Sequence, residues 1–396
     1  MDTPAIPPNA LEGIRVVELG TLIAGPFAGR ILADFGAEVV KVENPSSPDP
    51  MRTWGRARAN GRSLWWAIQS RNKRSVALDL KSDEGKADLR RLLDEADVLI
   101  ENFRPGTLER LGFAPETLWE SNPGLVIARV SGYGQTGSKS HKPGYAAVAE
   151  AASGLRHMNG YPDQPPPRTG ISLGDSLASL YAVQGVMMAL YWRDALGGGR
   201  GQVVDVSLVE SCFSLLEGAV AEHASTGVVP GPSGSRLAGI APSNIYRSSD
   251  GRWVVIAANQ DTVFQRLAVA MGEPGLSGDP RFVDHVSRGR HQDELDELIA
   301  RWAEEHTAAE LDAILDRHGV PTSAVNSVSD IFADPLFAER DMLVEVGSGD
   351  DVVTHPGIVP RLTRTPGRIL WSGSAEVGGC NEDVLGARRE TREASE

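Results

Sequence analysis

The chain has 396 residues, of which 41% are hydrophobic and 23% charged, and its formal net charge is −14. This length supports a sizeable core and roughly two domains of about 150 residues each, and the composition excludes a disordered chain. The acidity argues against a protein that coats nucleic acid or an anionic membrane surface.

Residues 1–10 (MDTPAIPPNA) read as a loose arm. They carry no basic stretch followed by an apolar core, so no signal peptide is expected. IRVVELG at 14–20 reads as a buried strand, 25–35 as a helix and AEVVKVE at 37–43 as a second strand. SVALDL at 75–80, a charged amphipathic helix over 82–95, DVLIEN at 97–102 and LVIARVSG at 125–132 follow. Strands alternating with helices at this spacing predict an α/β domain, an open parallel sheet with helices on both faces. The longest apolar run, 177–192, is interrupted by Gln184 and Gly185 and reads as too short for a membrane span. QVVDVSL at 202–208 is one more strand, running into a helix.

Residues 224–236 are rich in Gly, Pro and Ser and read as a linker. Beyond it, SNIYRSSDGRWVVIAAN has the signature of a hairpin with Asp250 and Gly251 at the turn. Helical patterns cover 262–271, 292–306 and 307–318. The reading is therefore an arm (1–10), a large α/β domain (11–223), a linker with a smaller α+β domain (224–331), and a C-terminal segment (332–396) with few periodic signals. The two cysteines, Cys212 and Cys380, make neither a disulfide framework nor a metal-ligand spacing, which points to a reducing, cytoplasmic setting.

Several chemistries are argued against by missing motifs. LGTLIAGPFAG follows a strand and precedes a helix, but Gly20, Gly25 and Gly29 do not make the G-x-G-x-x-G spacing. Glu43 is only a weak ribose ligand, so a nicotinamide dinucleotide is disfavoured, although such βα turns are where ligands of parallel sheets bind. The eight histidines are scattered without H-x-H or H-E-x-x-H spacing, so no metal is expected. There is no G-x-S-x-G elbow and no P-loop. SRNKRS at 70–75 packs three cations just before a strand, either as a solvated loop or as a phosphate clamp.

RTGISLGDSLASLYAVQG at 168–185 contains one acid, Asp175, where a helix is expected to begin. An aspartate there is a preferred N-cap. It is also a competent nucleophile toward an activated acyl group, because a helix N-terminus holds a carboxylate ionised. The two readings are compatible.

GIRVVELGTLIAGPFAGRILADFGAEVVKVE, RNKRSVALDL, ENFRPGTLERLGF, VSGYGQTG, and Gly174-Asp175-Ser176 with GGRGQVVDVSLVES after it occur in this order between about residues 11 and 385. Together they resemble the class III CoA-transferases, the family of formyl-CoA transferase and carnitine CoA-transferase. The resemblance implies an open α/β domain completed by the C-terminal segment, and a homodimer of two interlocked ring-like chains. It implies transfer of CoA from an acyl-CoA to a carboxylic acid, with Asp175 forming an aspartyl anhydride and then an aspartyl-CoA thioester. Acyl-CoA is then a substrate, and no tightly bound cofactor is expected. Carried over by motif, CoA contacts fall on Ile23, Ala24, Gln69, Ser70, Arg71, Asn72, Asn102, Phe103, Arg104, Arg110, Lys142 and Tyr145.

The chain departs from the family pattern in three places. Asn44 stands where formyl-CoA transferase has an arginine, Pro143 replaces a lysine with Lys142 beside it, and Ala146 follows Tyr145 where an acid is common. The acceptor implied is a small dicarboxylate such as succinate, itaconate, mesaconate or malate. Arg236 is either a partner for its far carboxylate or a plain surface arginine, the latter slightly favoured. Two alternatives remain. An α-methylacyl-CoA racemase shares this fold, but it places a histidine near the Tyr145 position, and His141 is not aligned with it. A non-catalytic CoA-binding subunit would have no need of Asp175.

Overall fold

The computed structural model describes residues 8–386. The chain divides into two units. The larger comprises the chain up to Leu155, Arg168–Glu217 and the chain from Leu336 on; the smaller comprises Arg156–Pro167 and Gly218–Pro335.

Six strands form the sheet of the larger unit: β1 (Arg15–Glu18), β2 (Glu38–Glu43), β3 (Lys73–Ala77), β4 (Val98–Glu101), β5 (Val126–Ser131) and β6 (Val203–Ser207). All neighbours are parallel, in the order β3-β2-β1-β4-β5-β6. Their β-branched content suits a sheet buried on both faces. The two-residue repeat of a strand sends Val16, Val39, Val98 and Ala128 to one face and Val17, Val40, Leu99 and Ile127 to the other. The first set packs with α1 (Ala24–Asp34), the second with Leu89, Leu92 and Leu93 of α2 (Asp83–Asp94). Each such valine, leucine or isoleucine contributes about 1.5–3 kcal/mol when fully buried.

Three more helices shape the unit: α3 (Ala146–Ala152), α4 (Leu173–Asp194) and α5 (Leu208–Phe213). At 22 residues, α4 is longer than the apolar run read from the sequence, and by length and composition alone it could cross a membrane. Here Ala178, Ala182, Val186 and Ala189 are buried in the same core as Val16 and Ala28. Small side chains on that face let α4 approach its neighbours closely. The segment after Leu336 returns to the open edge at β3: the Cys380 N–H donates to Ser75 O (2.9 Å) and the Ala77 N–H to Asn381 Oδ1 (2.8 Å). Val384 and Leu385 then join the core around Val17.

The smaller unit is a three-stranded antiparallel sheet, β9-β8-β7, built from β7 (Ser243–Arg247), β8 (Trp253–Ala257) and β9 (Thr322–Ala324). Asp250 and Gly251 lie at the turn between β7 and β8, with Gly251 at φ 80. Helices α6 (Asp261–Ala270), α7 (Gln292–Ala303) and α8 (Ala308–Arg317) complete it. Thr307 caps α8, and Glu310 closes the reciprocal capping box.

The smaller unit differs from the sequence reading, its main part running Gly218–Pro335 rather than 224–331. A helix, Ala219–Thr226, occupies the start of the expected linker and ends at Gly227 with φ 75. Residues 156–167 belong to the smaller unit, tied there by the Gly234 N–H to Gly160 O bond (2.8 Å). A Pro-rich polar stretch carries no periodic pattern from which that attachment can be read.

Candidate active site

The strand order reverses between β1 and β4, and ligands of open parallel sheets bind in the crevice at such a point. The order is that of the doubly wound dinucleotide folds, although their glycine motif is absent. Here the carboxyl ends of β1 and β4 are stitched together. The Thr21 N–H donates to Asn102 Oδ1 (2.9 Å), and Asn102 Nδ2 donates back to Thr21 O (2.8 Å). Phe103 is placed by its N–H to Glu101 (2.7 Å), and Glu101 is held in turn by Arg129 Nε (2.7 Å).

Beneath this turn lies a buried ionic cluster. Lys41 Nζ meets Glu18 Oε1 at 3.1 Å and Asp49 Oδ2 at 2.9 Å, and also donates to Gly20 O. Lys73 Nζ meets Glu18 Oε2 at 2.7 Å and donates to Pro26 O at 2.6 Å. Asp49 further accepts the Leu22 N–H at 3.1 Å, which supports the left-handed φ of 65 at Leu22. Such a conformation costs a β-carbon-bearing residue about 1 kcal/mol or more. The charges, two cations and two carboxylates, balance.

Asp175 is the third residue of α4, not its cap. The cap is Ser172, which makes no side-chain capping bond. The Asp175 carboxylate forms no hydrogen bond or ion pair among the described residues. Its backbone is fixed instead: Ser179 Oγ lies 2.7 Å from both Asp175 O and Ala24 O, tying α4 to the first turn. Gly174 permits the approach from behind, since a Cβ there would lie 3.2 Å from the Ala146 backbone and 3.3 Å from Cys212 Sγ. Burial, then the charge of Glu150, raises the Asp175 pKa to about 6, against an opposing pull from Arg168. Burial and a like charge thus oppose the helix start, yet with a pKa of about 6 the carboxylate is still mostly ionised at pH 7.

Asp175 lines a cleft of about 180 Å³ together with Thr21, Leu22, Ile23, Ala24, Asn102, Phe103, Arg104, Ser131, Lys142 and Tyr145. Of the residues expected from sequence, it gathers Ile23, Ala24, Asn102, Phe103, Arg104, Lys142, Tyr145 and Asp175. Gly132 and Gly144 bring Lys142 and Tyr145 to the end of β5; a Cβ on either would lie 2.7 Å from the other's Cα. A second cleft of about 280 Å³ shares Thr21 and Phe103 and is lined by Asn44, Leu78, Leu80, Lys81 and Leu111. Lys81 and Glu150 were not singled out in the sequence; a lone lysine at a turn or a lone glutamate among alanines ordinarily reads as a solvated side chain.

Gln69, Ser70, Arg71 and Asn72 line neither cleft. Arg71 is buried on Asp34 (2.6 Å), and Asn72 donates to Asp34 (3.1 Å) and to Arg368 O (2.8 Å). Ser70 is bonded to Trp66 O (2.7 Å). With Lys73 on Glu18 (2.7 Å), two of the three cations of this stretch are spent inside the fold; the third, Arg74, is exposed and pairs with Glu38 (3.4 Å), and none of the three lines either cleft. Glu43 is likewise spent on Arg52 (2.7 Å), which removes it as a ribose ligand. Arg110 is exposed beside Leu111 and outside both linings. Arg236 pairs with Asp293 and Asp296, as a surface arginine does. Among the described residues no group of His, Cys, Asp and Glu is arranged to hold a metal.

Fold and cleft together define an α/β ligand-binding protein whose site carries a half-buried, unpaired carboxylate. CoA-transferase family III matches residues 11–377, and the chain belongs to that family. It is an enzyme of the CoA-transferase type. It is 47% identical over 380 residues to the succinyl-CoA–D-citramalate CoA-transferase of Chloroflexus aurantiacus, covering 96% of this chain and 94% of that one. It is 39% identical over 380 residues to the alpha subunit of a succinyl-CoA–L-malate CoA-transferase of Chloroflexus aurantiacus, covering 95% and 88%. A CAIB/BAIF family protein from Brucella suis superposes with a TM-score of 0.83 at 31% identity, covering 96% of this chain and 99% of that one.

Proposed function

We propose that the protein moves CoA from succinyl-CoA to a small dicarboxylic acid, with Asp175 as the covalent nucleophile. The observation that carries this is the Asp175 carboxylate: unpaired, oriented by its helix, and lining the cleft at the sheet's carboxyl edge. The choice of succinyl-CoA is supported by the names of both Chloroflexus aurantiacus relatives.

In the first step an Asp175 oxygen bonds to the thioester carbonyl and the C–S bond breaks, its electron pair leaving on the CoA thiolate. The thiolate then attacks the Asp175 carbonyl of the anhydride and releases the donor acid. The acceptor carboxylate displaces CoA again as a second anhydride, whose acyl group the thiolate finally takes. An anhydride keeps the transfer potential of a thioester, so each step is reversible, and water must be held off. The positive end of α4 favours the oxyanion formed at each attack.

The thioester end of CoA occupies the Asp175 cleft and passes between Thr21 and Phe103. The adenosine end takes the second cleft, among Leu78, Leu80 and Leu111, with Arg104, Arg110 and Lys81 near its phosphates. Lys142 and Arg168 offer positive charge to the far carboxylate of a dicarboxylate. The exposed apolar side chains of α4, with Met188 at 61% and Tyr191 at 62%, support a homodimer in which a second copy covers them. The enzyme works in the cytoplasm.

The test is a panel of acyl-CoA donors against dicarboxylic acids, read by mass spectrometry. New acyl-CoA is expected with succinyl-CoA and C4–C5 dicarboxylates. Activity confined to monocarboxylates, or none without a second subunit, would refute the proposal.

A further inference from the structure

Glu150 lies on α3 and is 3% exposed. Buried acids are ordinarily paired with a cation. This one has no ion pair among the described residues. Its described side-chain bond is from the Gly174 N–H to Oε1, at 3.4 Å, from the residue immediately before Asp175. The fold therefore fixes a buried carboxylate behind the half-buried one that lines the cleft.

We propose that Glu150 is a positioning residue that makes Asp175 a stronger base and a stronger nucleophile toward the acyl carbonyl. The proposal rests on the reading of Asp175 as the nucleophile. The groups around Asp175 are few: Glu150 from α3, Arg168 from the segment ahead of α4, Cys212 from α5, and Arg104, Lys142 and Tyr145 around the cleft. Burial, then Glu150, pushes the Cys212 thiol up to about 11, so it stays neutral near pH 7. Glu150 is thus the acid that opposes ionisation of Asp175, after burial itself.

The chemistry gives this arrangement a use. Attack on the thioester forms the Asp175 O–C bond, breaks C–S and leaves the electron pair on sulfur; no proton or co-reactant is needed. A thiol ionises near pH 8.5 and an ordinary aspartate near 3.9, so an ordinary carboxylate is a weak nucleophile against that leaving group. At a pKa of about 6 the gap narrows, while at pH 7 roughly nine-tenths of Asp175 is still ionised.

Glu150→Gln removes the charge, keeps the shape and can still accept the Gly174 N–H. Two readouts apply. The pH dependence of carbodiimide labelling at Asp175, quantified by peptide mass spectrometry, reports its titration without turnover; the pH profile of kcat reports the reaction. In the variant the labelling midpoint is expected to fall by about one unit. The acid limb of kcat falls with it, and kcat at pH 7.5 drops about threefold, taking rate to follow roughly the half power of basicity. An unmoved midpoint overturns the proposal. A midpoint that falls while kcat and its profile stay put overturns the nucleophile reading, and with it the catalytic half of the proposal. Should Gln lower the melting temperature, Glu150→Met removes the same charge at similar volume and is read in the same way.

Discussion

Lys41→Met is the perturbation that joins the stability of the fold to the shape of the site. The Lys41 ammonium is buried between Glu18 (3.1 Å) and Asp49 (2.9 Å) and also bonds the carbonyl of Gly20. Burial disfavours the ammonium, but the two carboxylates outweigh it and raise its pKa. Methionine fills a similar volume without the charge. Glu18 keeps Lys73 as a partner at 2.7 Å; Asp49 keeps only backbone N–H donors from Leu22 and Met51 among its described bonds. Leaving one buried charge unpaired costs about 3–5 kcal/mol. Urea unfolding at pH 7 should therefore show a lower midpoint at unchanged m. Adding Asp49→Asn to Lys41→Met should recover part of the loss, because it removes the orphaned charge. The same variant loosens the Gly20–Ile23 turn, so the KM for acyl-CoA should rise more than kcat falls. A loss below about 1 kcal/mol, or full additivity of the two changes, would refute the reasoning.

Other expectations follow from the same coordinates. His355 is buried, with Nε2 on Ser372 Oγ at 2.9 Å, and burial, then Arg71, Arg30 and Arg62, lowers its pKa from 6.5 to about 4. The unfolded chain then binds the proton more readily, so stability falls as pH drops from 6.5 toward 4, by about 3 kcal/mol in all. Urea titrations at pH 7 and pH 4.5 should show that slope in the wild type and a shallower one in His355→Gln. Arg110→Ala should raise the KM for acyl-CoA several-fold with kcat little changed; steady-state kinetics that show neither effect would remove Arg110 from the phosphates. A chiral 2-methylacyl-CoA in deuterated water, without acceptor, should show no exchange at the α-carbon by NMR, whereas rapid exchange would indicate a racemase.

The sheet was legible because its signal is local. Val16 and Val17, or Val39 and Val40, alternate within one strand, and a helix between the strands carries its own cap, as Ser82 does. The charges were not legible, because their partners lie on other strands. Nothing near Arg71 in sequence announces Asp34, and nothing near Lys73 announces Glu18. Those pairings turned an apparent clamp into internal braces. Asp175 itself was readable from its motif, but its position in the helix was not. A boundary error of a few residues separates a cap from a free carboxylate, and here the helix starts at Leu173. Glu150 was invisible for a different reason: its importance comes from lying behind Gly174, across two helices.

The central claim is that Asp175 becomes covalently acylated, and it is tested most directly by trapping. The enzyme is mixed with succinyl-CoA, quenched with hydroxylamine or borohydride during turnover, digested and mapped by mass spectrometry. The account predicts a hydroxamate or a reduced side chain at position 175, absent from Asp175→Ala and from enzyme without acyl-CoA. An unmodified position 175 in enzyme that is turning over would contradict it.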